Sequence, residues 1–217
     1  MGISGLLPFV RKASRPCFLH EFSGSVAAVD TYCWLHKGAF TCADKLAMGE
    51  DTDGYVVYVM KMVRLLLSYG IKPIMVFDGC NLPSKAGTEA KRRESRQKNR
   101  VLAKELLREG RVKEARECFQ RCVDVTSHMA RAVMRACRQI NVDVIVAPYE
   151  ADAQLAYLTN SDFADLVLTE DSDLLLFGCQ KVIFKLDSSG GGVLVEQSKL
   201  HLAMGVPAHK FSFEVSR

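Results

Sequence analysis

The sequence has no long apolar stretch. None of its runs reaches the roughly 20 residues needed to cross a bilayer, so a helical membrane span is excluded. The opening MGISGLLPFVRK puts its apolar residues before its charges and has no small-residue cleavage site, so it does not read as a secretory signal. Leu6 stands where a myristoylation signal wants Ser or Thr. None of the eight cysteines forms a CxxC pair. Cys118 and Cys122 could share a helix face near His128, but that spacing fits no common zinc site. Cysteines scattered without a framework suit a reducing compartment, cytosol or nucleus. There is no GxxxxGK[ST] loop, which argues against a plain NTP-binding protein. Internal repeats and low-complexity linkers are absent too.

What remains is a chain of 217 residues, 48% hydrophobic and 25% charged, long enough for one sizeable core. Its pattern alternates strand and helix. Val26–Asp30 reads as a short buried strand and Asp53–Tyr69 as a helix. The apolar stripe of that helix is Val56, Val59, Met60, Val63, Leu66 and Leu67. Gly70 ends it, and Ile71–Phe77 is a second buried strand. Pro83 and Ser84 open a long helical segment that runs to Glu109 and breaks at Gly110. Helices follow over Val112–Cys122 and Ser127–Ile140, the latter capped by Thr126 or Ser127. Asp143–Val146 and Leu166–Thr169 read as strands around a helix over Ala151–Thr159. Lys181–Leu186 and Val193–Glu196 form an expected hairpin about Gly190–Gly192. Repeated strand–helix units predict an α/β fold with a mostly parallel twisted sheet flanked by helices.

Four of the hydrophobic runs end in acid. VAAVD closes on Asp30 and IMVFD on Asp78; the next two deliver Glu150 with Asp152, and Asp171 with Asp173. Ligands bind beyond the carboxyl ends of parallel strands, where all six acids are expected. Any one of them could be a helix cap. Together they would repel strongly without a counter-ion. Oxygen ligands without His or Cys select Mg²⁺, with Mn²⁺ able to substitute. Six acids exceed the needs of one ion. Two ions about 4 Å apart, clamping the attacking and leaving oxygens of a phosphodiester, are the expected arrangement.

Basic residues are concentrated elsewhere. Residues 85–121 hold thirteen Lys or Arg against six Asp or Glu, a local +7 in a chain of net +4. Within KRRESRQKNR (91–100), Arg92 and Arg96 share a helical face with Lys85, and Arg93 and Arg100 form the neighbouring row. One-sided charge of this kind suits phosphates, which guanidinium forks bind bidentately. A second stripe, Arg131, Arg135 and Arg138, reads as solvent-facing.

MGISGLL, DTYCWLHKGA, IMVFDG, LPSK, APYEADAQLAYL and TEDSDLLLFG together resemble the signature blocks of the flap endonuclease/XPG superfamily of structure-specific 5′ nucleases. DTYCWLHKGA, VFDGCNLPSK, LLREGRVKEARECF and DSDLLLFGCQKVIFK resemble its eukaryotic exonuclease one branch, from Met1 to about Leu200. The resemblance implies a PIN-like 5′ nuclease fold with a helical arch over the active site. It divides the chain into a nuclease region at 1–99, a helical connector completing the arch at 100–137, an internal nuclease region at 138–200 and a divergent tail at 201–217. Asp30, Asp78, Glu150, Asp152, Asp171 and Asp173 take the places of metal-binding acids. Lys85 and Arg92 match the basic pair at the scissile phosphate. Gly2, Tyr32, His36, Arg93 and Arg96 match DNA-contacting positions, and 37–52 matches the wedge that parts duplex arms. The implied activity is 5′→3′ exonuclease and 5′-flap endonuclease action on DNA with 5′ ends, nicks, gaps or flaps. The implied setting is nuclear mismatch repair, recombination and end resection, as a monomer alongside mismatch-repair proteins, with no membrane.

Two departures qualify this. Ser95 stands where the branch is expected to carry another Arg. The family continues with a further acid and a helix–two-turn–helix element, whereas the residues after Leu200 diverge, which reads as C-terminal truncation. A second expectation follows, an inactive DNA-end or repair-partner binding form. A PIN-like ribonuclease is a third, disfavoured by the arch and wedge segments.

Overall fold

The chain is described here by a computed structural model covering residues 3–211. After a one-turn helix α1 (Leu6–Phe9) come β1 (Ser14–Phe18), β2 (Val26–Asp30), α2 (Thr31–Thr41), α3 (Ala43–Met48), α4 (Gly54–Ser68) and β3 (Lys72–Phe77). Then follow α5 (Ala86–Arg108), α6 (Val112–Arg121), α7 (Ser127–Gln139), β4 (Asp143–Val146) and α8 (Ala151–Asn160). The described chain ends through β5 (Leu166–Leu168), β6 (Lys181–Phe184), β7 (Gly191–Glu196) and α9 (Leu200–Met204). The strands make one seven-stranded sheet in the order β1-β7-β6-β5-β2-β3-β4. The five from β6 to β4 are parallel, and β7 and β1 add an antiparallel edge. From β2 the chain steps outward to β3 and β4, then returns to β5 on the other flank of β2. The order therefore reverses between β2 and β5, which opens a crevice at their carboxyl ends.

Both faces of the sheet are covered, so the central strands are apolar between their ends. Ala27 and Val29 face a core with Trp34, Val59, Val63 and Val133 from α2, α4 and α7. Ala28, Ile74 and Val167 face the opposite core, with Leu155 of α8 and Leu174 and Leu175 beyond β5. A third, small cluster joins Ala103 and Leu106 of α5 to Ala115, Cys118 and Phe119 of α6 and Ala43 of α3. This cluster anchors only the far end of α5. Of the 23 residues of α5, Ala103 and Leu106 alone are buried, so its basic first half stands off the body.

The expected elements are present, with shifts that have local causes. In α4, Met62 turns inward and Leu67 is exposed, because the buried face is centred on Val59 and Leu66. Thr126 caps α7, its hydroxyl accepting from the Met129 N–H at 3.3 Å. The hairpin turn precedes Gly191, and Gly191 and Gly192 lie inside β7. A side chain at Gly192 would strike Ile183 Cγ2 at 2.7 Å. The strand β1, which contains Pro16, was not expected. Proline is tolerated there because β1 is an edge strand. Arg131, Arg135 and Arg138 are exposed, as expected.

Gly79, directly after the Asp78 strand end, lies against the segment that carries Glu150. Its N–H donates to the Tyr149 carbonyl at 2.6 Å, and the Cys80 N–H donates to the Pro148 carbonyl at 3.1 Å. A Cβ at position 79 would sit 1.9 Å from the Ala147 carbonyl oxygen, closer than any relaxed contact. Gly79→Ala is therefore expected to destabilise the fold by about 1–3 kcal/mol in denaturant unfolding. An unchanged midpoint would show that the two strand ends are not so tightly apposed.

Candidate active site

Each acid reaches the crevice because a strand stops there. Asp30 is the last residue of β2, only 4% exposed, and it caps α2 by accepting from the Cys33 N–H at 3.4 Å. Its other oxygen accepts from the Cys33 thiol at 2.7 Å and the Thr169 hydroxyl at 2.8 Å. Asp78 follows β3 and accepts at Oδ1 from the first N–H of α8, on Ala151, at 2.7 Å. Glu150 and Asp152 open α8. Asp171 caps the 3-10 turn at Ser172–Leu175 through the Asp173 N–H at 3.0 Å, and Asp173 accepts from the Ile3 N–H at 2.9 Å. Asp30 and Asp171 are therefore helix caps, and capping does not take them away from the sheet edge.

Crowding shows in their electrostatics. Asp152 is pushed up to about 7, first by burial and then by the charges of Asp30, Asp171, Glu150 and Asp78. Burial also raises Asp78 and Asp171. The Ala151 N–H opposes this in Asp78, and the Asp173 N–H opposes it in Asp171. Lys85 supplies the nearest counter-charge. Its Nζ reaches both Glu150 oxygens, at 2.6 and 2.7 Å, and that bond raises the amine above its usual value.

Among the described residues, no three or more His, Cys, Asp or Glu side chains stand in an arrangement that would by itself hold a metal ion. The donor set nevertheless fits a hard divalent cation. It is all oxygen, and burial together with the neighbouring negative charges holds Asp152 well above the usual carboxylate range.

The basic expectations divide. Arg92 and Arg93 are exposed on α5, with Arg92 only loosely near Glu89 at 3.9 Å. Arg96 is engaged with acids: its guanidinium meets Glu89 at 2.6 Å and Asp124 at 3.5 Å. Sequence reasoning missed Asp124, because a pairing across a helical hairpin leaves no local pattern. Tyr32 packs edge-on against Phe77, and burial and Asp78 raise its hydroxyl. His36 lies one turn further along α2, with its ring lowered first by the surrounding protein and opposed by Asp30 and Asp124. Gly2 lies outside the described residues. Thr169 and Cys33 were also missed, since neither residue type signals a link between strand ends.

Comparison with known proteins finds two family regions along the chain. The XPG N-terminal domain matches residues 1–99 and the XPG I-region matches residues 141–210. Exonuclease 1 of Drosophila melanogaster is 59% identical over 217 residues, spanning 100% of this chain and 30% of that protein. Exonuclease 1 of Danio rerio is 60% identical over 200 residues, or 92% of this chain and 25% of that protein. The chain thus spans under a third of the length of these two relatives. The catalytic core of Rad2, solved in complex with a DNA substrate, superposes with a TM-score of 0.69 at 20% identity over 96% of this chain and 58% of its own. That likeness speaks for the α/β fold. With both XPG regions matched in order, and with close similarity to exonuclease 1 along its whole length, the chain belongs to the XPG/flap endonuclease superfamily, in its exonuclease 1 branch.

Proposed function

We propose that this chain forms the nuclease core of a Mg²⁺-dependent 5′→3′ double-stranded DNA exonuclease with 5′-flap endonuclease activity. Its proposed setting is nuclear mismatch repair, recombination and end resection, with mismatch-repair proteins as partners. One observation carries the reading: six carboxylates from four strand ends crowd one sheet edge beside a helix whose near half is exposed and basic. Substrates are assigned as DNA with 5′ ends, nicks, gaps or 5′ flaps. The protein is taken to act as a monomer.

When bound, two divalent ions supply an activated water and neutralise the attacking and leaving oxygens. Asp171 and Asp173 would hold one ion, and Glu150 and Asp152 the other. Asp30 and Asp78 would act partly through waters, in keeping with the internal donors that already bind them. Lys85 begins paired with Glu150, one of the crevice acids. On substrate entry its amine would leave Glu150 for the scissile phosphate, with Arg92 beside it. Arg93 is assigned to a phosphate further along the strand. Arg96 could contact DNA only by releasing Glu89 or Asp124, so its first task is to brace the arch. Tyr32 and His36, on the same face of α2, would meet the terminal nucleotides, and Gly2 is assigned to DNA contact.

Three outcomes are expected. Asp173→Ala should lose nucleotide release from a 5′-recessed duplex by orders of magnitude while keeping its fold; normal turnover would sink the metal assignment. Lys85→Ala should slow single-turnover cleavage about 10²-fold with little change in DNA affinity. An unchanged rate would make the arch a remote electrostatic element only. The third concerns stability without metal. Asp152 has a folded pKa above its unfolded one, so the folded state binds the extra proton between about pH 4 and 7. Metal-free stability should therefore fall as pH rises through that window. Asp152→Asn should be the more stable protein at about pH 8, by on the order of 2 kcal/mol after discounting for solvent screening. Equal midpoints in chelator would contradict the crowding.

A further inference from the structure

The parallel ladder between β2 and β5 runs Ala27↔Leu166, Ala28↔Val167 and Val29↔Leu168, then stops. The next pair would be Asp30 with Thr169, and there side chains take over from the backbone. The Thr169 hydroxyl donates to Asp30 Oδ2 at 2.8 Å and accepts from the Asp171 N–H at 2.9 Å. Thr169 is only 4% exposed, so no solvent competes for either bond. One hydroxyl therefore joins an acid on one strand end to the backbone of an acid on the next. Beside it, the Cys33 thiol donates to the same Asp30 oxygen, and its sulfur accepts from the Glu170 N–H at 3.3 Å. The bracket spans the crevice at the point where the strand order reverses.

We infer that Thr169 is a positioning residue. Its hydroxyl fixes the separation and orientation of Asp30 relative to Asp171, and so sets how well the crevice binds a divalent cation. The inference rests on the metal-dependent reading above and deepens it. A hydroxyl that both donates and accepts is required: valine matches threonine in shape but can do neither, while serine can do both. Groups that orient metal-binding carboxylates typically change metal affinity by about 10–100-fold when removed.

The test is Mn²⁺ binding to the 217-residue chain without DNA, followed by loss of the free-ion electron paramagnetic resonance signal. Thr169→Val is expected to weaken binding about 10-fold and Thr169→Ser to stay within about 2-fold of the parent. In an Asp30→Asn background, Thr169→Val should add little, because its effect passes through Asp30. Unchanged Mn²⁺ affinity in Thr169→Val overturns the inference, as does equal weakening in Thr169→Ser. Should Thr169→Val fail to fold, Cys33→Ala carries the test, since it removes the other side-chain donor to Asp30; an affinity equal to the parent's then overturns the bracket. If the parent chain itself binds no Mn²⁺, or Asp30→Asn and Asp171→Asn bind as the parent does, the metal-site reading fails instead.

Discussion

Mutual repulsion among carboxylates at one sheet edge is the constraint around which the rest of this structure is arranged. Parallel strands end together, so acids placed at four successive strand ends cannot avoid one another. Asp30 is buried, Asp78 is exposed and the other four acids are intermediate, so water screens them only in part. The protein offsets this with fixed donors: the Ala151 N–H for Asp78, the Thr169 hydroxyl and Cys33 thiol for Asp30, and the Ile3 N–H for Asp173. Lys85 adds a positive charge through its bond to Glu150. These contacts leave Asp152 without comparable help, and it responds by holding its proton near neutrality.

The arch makes sense against that background. Its far end is pinned by a small core of its own, through Leu106 and Phe119, independent of the two layers on the sheet. Its near end is tied mainly by polar contacts, Lys85 to Glu150 and Arg96 to Asp124. Polar ties between partly exposed groups are individually weak and exchange readily with other anions. A segment held in this way can trade a protein carboxylate for a phosphate without unfolding anything. The body below stays rigid because its strands are apolar on both faces.

Much of this was legible in the sequence, for physical reasons. VAAVD and IMVFD announce themselves because a fully buried strand must be apolar and its acid must lie at an end. The basic half of α5 stands out because its two acids, Glu89 and Glu94, are outnumbered by Lys and Arg. Other features left no local trace. Pro16 hides an edge strand whose partner lies far along the chain, with Pro16 opposite Val193. Gly38 sits buried inside α2, where a Cβ would come within 3.0 Å of the Tyr55 backbone on α4, a close approach that no local pattern announces. The Thr169 bracket and the Arg96–Asp124 pair depend on which strand ends and helices become neighbours, and no spacing in the chain encodes that.

The central claim is that the crowded carboxylates await a divalent counter-ion. The most direct test is the unfolding midpoint of the metal-free chain at about pH 8 as Mg²⁺ is added. A cation that binds only the folded site should raise stability by about 2.7 kcal/mol at a hundredfold excess over its dissociation constant. The gain should vanish when Asp171 and Asp173 are both changed to Asn. A midpoint indifferent to Mg²⁺, or a gain that survives those substitutions, would contradict the account.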